Sequence, residues 1–217
     1  MHFYDSFKYL FPPRPEFKIS PDILDLYDTG EWIAQPKYNG DCLLLFTKGS
    51  SHQFWTRHSK PYSKPIKVSV PFNFDGYFVF VGEYINPKNK MGELGVIESP
   101  KYIIFDILVA ESIYLIGEPL DSRLMMLETL FPTTRSYVGN NGLVSYNHIC
   151  FTKYEGICKA PTYVRDFSKI YNDVVKTDLY EGLVIKKLTA PLETGYNELN
   201  NHLWQLKCRK ESKVYSF

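Results

Sequence analysis

Only four cysteines occur among the 217 residues, Cys42, Cys150, Cys158 and Cys208; no two have C-x-x-C spacing, and none clusters with the five histidines. A thiolate zinc site and a disulfide scaffold are thereby excluded as organising devices, and a reducing, cytoplasmic setting is the expectation. Long apolar runs are missing as well. No stretch approaches the roughly 20 residues of a membrane-crossing helix. The N-terminal residues, with Asp5 and Lys8 among them, do not read as a secretory signal, so a soluble protein is expected. Neither sign of charge is in marked excess: the net charge of +1 excludes a general polycation. Contact with nucleic acid would therefore need a local basic face. Internal repeats and low-complexity tracts are also absent.

Apolar residues make up 44% of the chain, enough for a substantial core, and the length suits one good-sized domain with a small appendage. Residues 1–30 carry Pro12, Pro13 and Pro15 and read as an N-terminal arm packed on a domain spanning 31–217. A short helix over Pro21–Tyr27 is predicted, with Ser20 as its N-cap. Strand-like runs follow at Trp32–Ala34, Cys42–Thr47, Gln53–Thr56, Tyr77–Tyr84 and Tyr102–Val109, and again at Tyr180–Leu188 and His202–Cys208. Between these groups the apolar spacing predicts helices over Pro119–Phe131 and Thr162–Lys176. The fold class expected is α+β, with mainly antiparallel sheets flanked by helices.

The stretch Gln35-Pro36-Lys37-Tyr38-Asn39-Gly40 places a lysine between two apolar runs, which predicts a strand, a tight turn carrying Lys37, and a second strand. A lysine shielded from water among other cations has a lowered pKa and can act as a nucleophile. Charged residues recur at strand ends beside glycine, in Gly82-Glu83, Glu181-Gly182 through Lys186, and Lys207-Cys208-Arg209. Lys186, Lys207 and Arg209 would suit an anion pocket, and Glu83 and Glu181 could take ribose hydroxyls or a hydrated Mg²⁺. Phe105 offers a face for a nucleobase but by itself reads more readily as core, and Glu181 with Lys186 reads equally as a structural ion pair. Arg57, Lys60, Lys64 and Lys67 form either a solvated loop or a phosphate-contacting flap.

In this order the elements resemble the covalent nucleotidyltransferases: ATP-dependent DNA and RNA ligases and mRNA capping enzymes. The resemblance spans residues 31–210. It implies an ATP-grasp-like adenylation domain that uses ATP and Mg²⁺ (or Mn²⁺) to form a lysyl–AMP intermediate, passes AMP to a 5′-phosphate end and joins that end to a 3′-hydroxyl. Lys37 matches the nucleophile, and Arg57 the contact to ribose and the 5′-phosphate end. Glu83 matches the ribose ligand, Phe105 the stacking aromatic, and Glu181 the ligand of metal-bound water. Lys186 and Lys207 match the α-phosphate lysines, and Arg209 stands where a second lysine is usual. Gln35 stands where the ligases commonly place a glutamate facing the adenine amino group.

There are departures from the pattern. Asn39 replaces the aspartate of K-x-D-G, and Cys42 an arginine common in DNA ligases. Lys207-Cys208-Arg209 is similar to the K-C-K form of one RNA ligase branch. Only eight residues follow Arg209, too few for an appended OB barrel. The expectation is a monomeric RNA ligase, with a DNA nick ligase as the alternative. A GTP-using capping enzyme or a silent nucleic-acid-binding module stands further back.

Overall fold

The computed structural model describes residues 7, 17–58, 60–66, 68, 74–86, 99–136, 148–193 and 204–211. Its β-branched and aromatic runs build two sheets. The larger begins with four antiparallel strands, β3 (Asp41–Gly49), β4 (Ser51–Thr56), β5 (Phe74–Ile85) and β6 (Lys101–Ala110), in the spatial order β4-β3-β5-β6. It continues from β6 through β10 (Ile157–Lys159) and β9 (Cys150–Phe151) to β8 (Arg135–Ser136), while β7 (Ile113–Tyr114) folds back on β6. The smaller sheet runs β1 (Phe17–Lys18), β12 (Gln205–Arg209), β11 (Tyr180–Lys187), β2 (Trp32–Tyr38). Both sheets are mixed: β6–β10 and β1–β12 pair in parallel, and the other pairings are antiparallel. No closed barrel occurs among the described residues.

Each sheet owes its position to one helix. Helix α1 (Leu120–Leu130) lays Leu127, with Phe131 just beyond its end, on a core that includes Phe80, Ile107 and Leu45. Helix α2 (Phe167–Val174) lays Phe167, Tyr171 and Val174 on Tyr180, Leu183 and Ile185 of the smaller sheet. Burying each such side chain contributes roughly 1.5–3 kcal/mol, which accounts for the apolar runs in β5 and β6, the latter broken by Asp106. Phe105 touches both cores and so marks where the sheets meet.

Three expectations need correction. Lys37 does not sit on a turn: β2 continues through it, because Lys37 pairs with Gly182 of β11, and the turn falls at Asn39-Gly40. That turn does not close a hairpin either, since β2 belongs to the smaller sheet and β3 to the larger. Helix α2 starts five residues later than predicted, after Asp166 in a left-handed conformation (φ 62°). Tyr163 is extended there, exchanging backbone hydrogen bonds with Ala34 at 2.8 and 2.9 Å, and Val164 is exposed rather than buried. The Pro21–Tyr27 helix is of the tighter 3-10 form, its Ser20 hydroxyl accepting from Asp22 N. The prolines of the arm and Lys67 lie outside the described residues. No helix among the described residues is long and apolar enough to cross a membrane.

Candidate active site

Where the chain passes between sheets it leaves a cleft of about 290 Å³. From the smaller sheet, Gln35, Lys37, Lys186, Lys207 and Arg209 line it; from the larger, Cys42, Glu83 and Phe105, with Arg57 following β4. Every residue singled out from the sequence for nucleotide chemistry therefore lines one cavity, except Glu181, which is bonded to Lys37. The segment after β4 is tied back through its described residues. Thr56 N donates to Lys60 O at 2.8 Å and Tyr62 N to Phe54 O at 2.9 Å, while Tyr62 Oη and Lys64 Nζ both reach Asp41 Oδ2, at 2.5 and 3.0 Å. Lys60 and Lys64 are exposed on its surface.

Two irregularities of register aim the key side chains. The pairing of β11 with β2 shifts between Tyr180 and Gly182, leaving Glu181 as the extra residue, and that of β5 with β6 shifts between Val81 and Gly82, leaving Phe105 extra. A bulge of this kind redirects one side chain out of the strand's alternation. Gly182 is required at the first: its φ is +134°, and a Cβ there would lie 2.0 Å from Cys208 O. The Glu181 carboxylate pairs with Lys37 Nζ and, at 3.1 Å, with Arg209 Nη2. It does not pair with Lys186, the structural ion pair considered from the sequence. Glu83 Oε1 accepts from Gly40 N at 2.9 Å, which ties the turn after Lys37 to the opposite sheet.

Lys186 is buried, 3% exposed, with Nζ 3.5 Å from Phe105 O and 5.0 Å from the centre of the Phe105 ring. Burial pulls its pKa down to about 8. Burial also pushes the Cys42 thiol up to about 12, with Glu83 adding to the rise, so Cys42 is a neutral wall rather than a nucleophile. Gln35 Nε2 lies 3.4 Å from Thr162 Oγ1, and its Oε1 is buried with no hydrogen-bond partner among the described residues. An orphaned acceptor in a cleft wall is ready for a donor on a ligand. Asn39 faces away, donating to Asp178 O at 3.1 Å.

Among the described residues no group of three or more metal-binding side chains comes together. One carboxylate fits a hydrated Mg²⁺, which takes one or two carboxylates and fills its other positions with water and substrate phosphate oxygens. Sequence reasoning missed three residues. Val184 and Gln205 line the cleft beside Lys186 and Lys207, and strand alternation (two residues before each) could have found them. Arg123, on α1, is completely buried and clamps Asp106; the apolar spacing of that helix carried no signal for it.

No protein-family profile matches the sequence, and no curated protein matches it. Solved structures do match. The mycobacterial DNA ligase D complexed with ATP and MES superposes with a TM-score of 0.62 and 14% identity, over 96% of this chain and 62% of that one. The ligase domain of M. tuberculosis LigD gives 0.62 and 14%, over 96% and 61%. A structure described as Pmar-Lig_PreS3 gives 0.56 and 12%, over 93% and 47%. This chain spans about three-fifths of the length of the first two. In fold, this chain resembles the ligase domain of M. tuberculosis LigD and the mycobacterial DNA ligase D.

Proposed function

We propose that the protein is an ATP-dependent polynucleotide ligase whose Lys37 takes AMP from ATP. The observation that carries this reading is the position of Lys37 Nζ, in contact with Glu181 in a cleft walled by Lys186, Lys207 and Arg209. Gln35 Oε1 accepts from the adenine amino group, Phe105 supplies a face for the base, and Glu83 takes the ribose. Lys37 leaves Glu181 and gives up a proton to solvent, and its neutral Nζ attacks the α-phosphorus as the bond to pyrophosphate breaks and pyrophosphate leaves. Lys186 and Lys207 neutralise charge on the non-bridging oxygens, and Arg57 meets the incoming 5′-phosphate. Glu181 would hold a hydrated Mg²⁺, which when bound would add charge neutralisation on the phosphates. The 5′-phosphate oxygen then displaces Lys37 from AMP, and a 3′-hydroxyl finally displaces AMP to form the phosphodiester.

RNA ends are the favoured substrate, on Lys207-Cys208-Arg209 and the neutral Asn39. The likeness in fold to DNA ligase domains favours the second reading, a DNA nick ligase. The protein is expected to act as a monomer in a reducing compartment; its four cysteines are unpaired. Incubation with ATP labelled at the α-phosphate and Mg²⁺ should give an acid-stable labelled band that is lost in Lys37→Ala. An unlabelled wild-type protein would end the proposal. Sealing rates on nicks with all-RNA, all-DNA and mixed strands separate the two substrates.

A further inference from the structure

Arg123 lies outside the cleft, fully buried between α1 and β6. Its Nε and Nη2 meet the two carboxylate oxygens of Asp106 at 2.9 and 3.1 Å, and its Nη1 donates to Glu118 O at 2.7 Å. The guanidinium also lies 5.7 Å from the Trp204 ring. Ile107 N gives Asp106 a further bond at 2.8 Å. The residue before Asp106 is Phe105, whose carbonyl and ring hold Lys186. Three charges are thus enclosed together: Lys186, Asp106 and Arg123, 3%, 3% and 0% exposed. In so dry a place a carboxylate without its arginine would draw in the next available cation.

We infer that Arg123 is a positioning residue: by occupying both oxygens of Asp106, it keeps that carboxylate from capturing Lys186 and leaves the Lys186 ammonium directed at the cleft. The inference rests on the nucleotide site proposed above and gives α1 a part in it. The directions of titration agree, since Asp106 raises the Lys186 pKa and Arg123 lowers it, against the larger lowering by burial. The other charged and titratable groups lining the cleft around Lys186 are Lys37 and Tyr38 on β2, Cys42 on β3, Glu83 on β5, Lys207 and Arg209 on β12, and Arg57. Substitution at Arg123 alters none of them.

Two readouts test this. The second-order rate of self-adenylation against pH reports groups of the free protein. Lysine ¹³Cε NMR, with Lys186 assigned through Lys186→Arg, follows its titration without any nucleotide. Arg123→Met should move the Lys186 midpoint, and with it the alkaline limb of the rate profile, up by about one pH unit. The plateau rate should fall roughly tenfold as Nζ turns towards Asp106. Asp106→Asn should move the midpoint down by a similar amount. The double variant, which removes both charges, should return it to within about half a unit of wild type. An Arg123→Met protein that is slower at every pH with an unmoved midpoint overturns the inference, as does a double variant displaced as far as the single. Should Arg123→Met fail to fold, Asp106→Asn decides: a downward shift supports the clamp and an unmoved midpoint overturns it. A wild type that takes no label from ATP defeats the ligase reading, while the NMR midpoints still decide the clamp.

Discussion

Lys186 keeps its charge where water hardly reaches it, and the fold is less stable for it. Its folded pKa of about 8 lies below the ordinary 10.5, so the unfolded chain binds more protons between those values and stability rises with pH across that window. At pH 7 both states carry the charge and the full cost is present. Lys186→Met should therefore raise the unfolding free energy at pH 7 by about 1–3 kcal/mol while abolishing self-adenylation. Urea melts should show the advantage shrinking as pH climbs from about 8 towards 10.5. Gly182 is the opposite case. A methyl group there meets Cys208 O at 2.0 Å, on a backbone that side chains avoid. Gly182→Ala should cost about 3 kcal/mol or more in the same melts and abolish labelling, because β12 must retreat from β11.

Among the elements, the two-residue strand β1 holds the free side of β12, and Ile19 N continues the ladder to Lys207 O at 3.0 Å. Ile19→Pro removes that donor. It should cost about 1 kcal/mol and slow labelling several-fold, by loosening the strand that carries Lys207 and Arg209. The long strands and α1 were legible in the sequence, because their apolar runs and periodicity are set by burial on the sheets. The start of α2 was not, since Tyr163 follows a long-range bridge to Ala34 that local spacing cannot encode. The short strands β10, β9 and β8 are held by a relay of pairing that starts on β6, each strand on the one before it, rather than by any pattern of their own. At the site, Lys37, Glu83 and Lys186 were legible because each puts a charge in or at the end of an apolar strand that also carries or meets a glycine, and Phe105 because Asp106 breaks the apolar run next to it. The bulges that aim Phe105 and Glu181 left only Gly82 and Gly182 as traces. Arg123 was hidden by its type: an arginine on an amphipathic helix ordinarily reads as solvated.

At the scale of the whole molecule, the cleft is lined from both sheets, so the nucleotide proposed for it would touch both. Saturating ATP with Mg²⁺ at about a hundred times its dissociation constant adds about 2.7 kcal/mol. The melting temperature of Lys37→Met, which binds without reacting, should therefore rise by roughly 5–10 °C. Scanning fluorimetry measures this, and an unchanged temperature would show that nucleotide does not bridge the sheets. The turn that folds back after β4 has another effect. Pro61 and Tyr62 occupy part of the outer rim of the larger sheet, bridging Trp55 and bonding Phe54 O. Removing Lys60–Tyr62 would bare the Phe54 carbonyl and the Thr56 amide, so the shortened protein would offer its rim to strands of other molecules and aggregate.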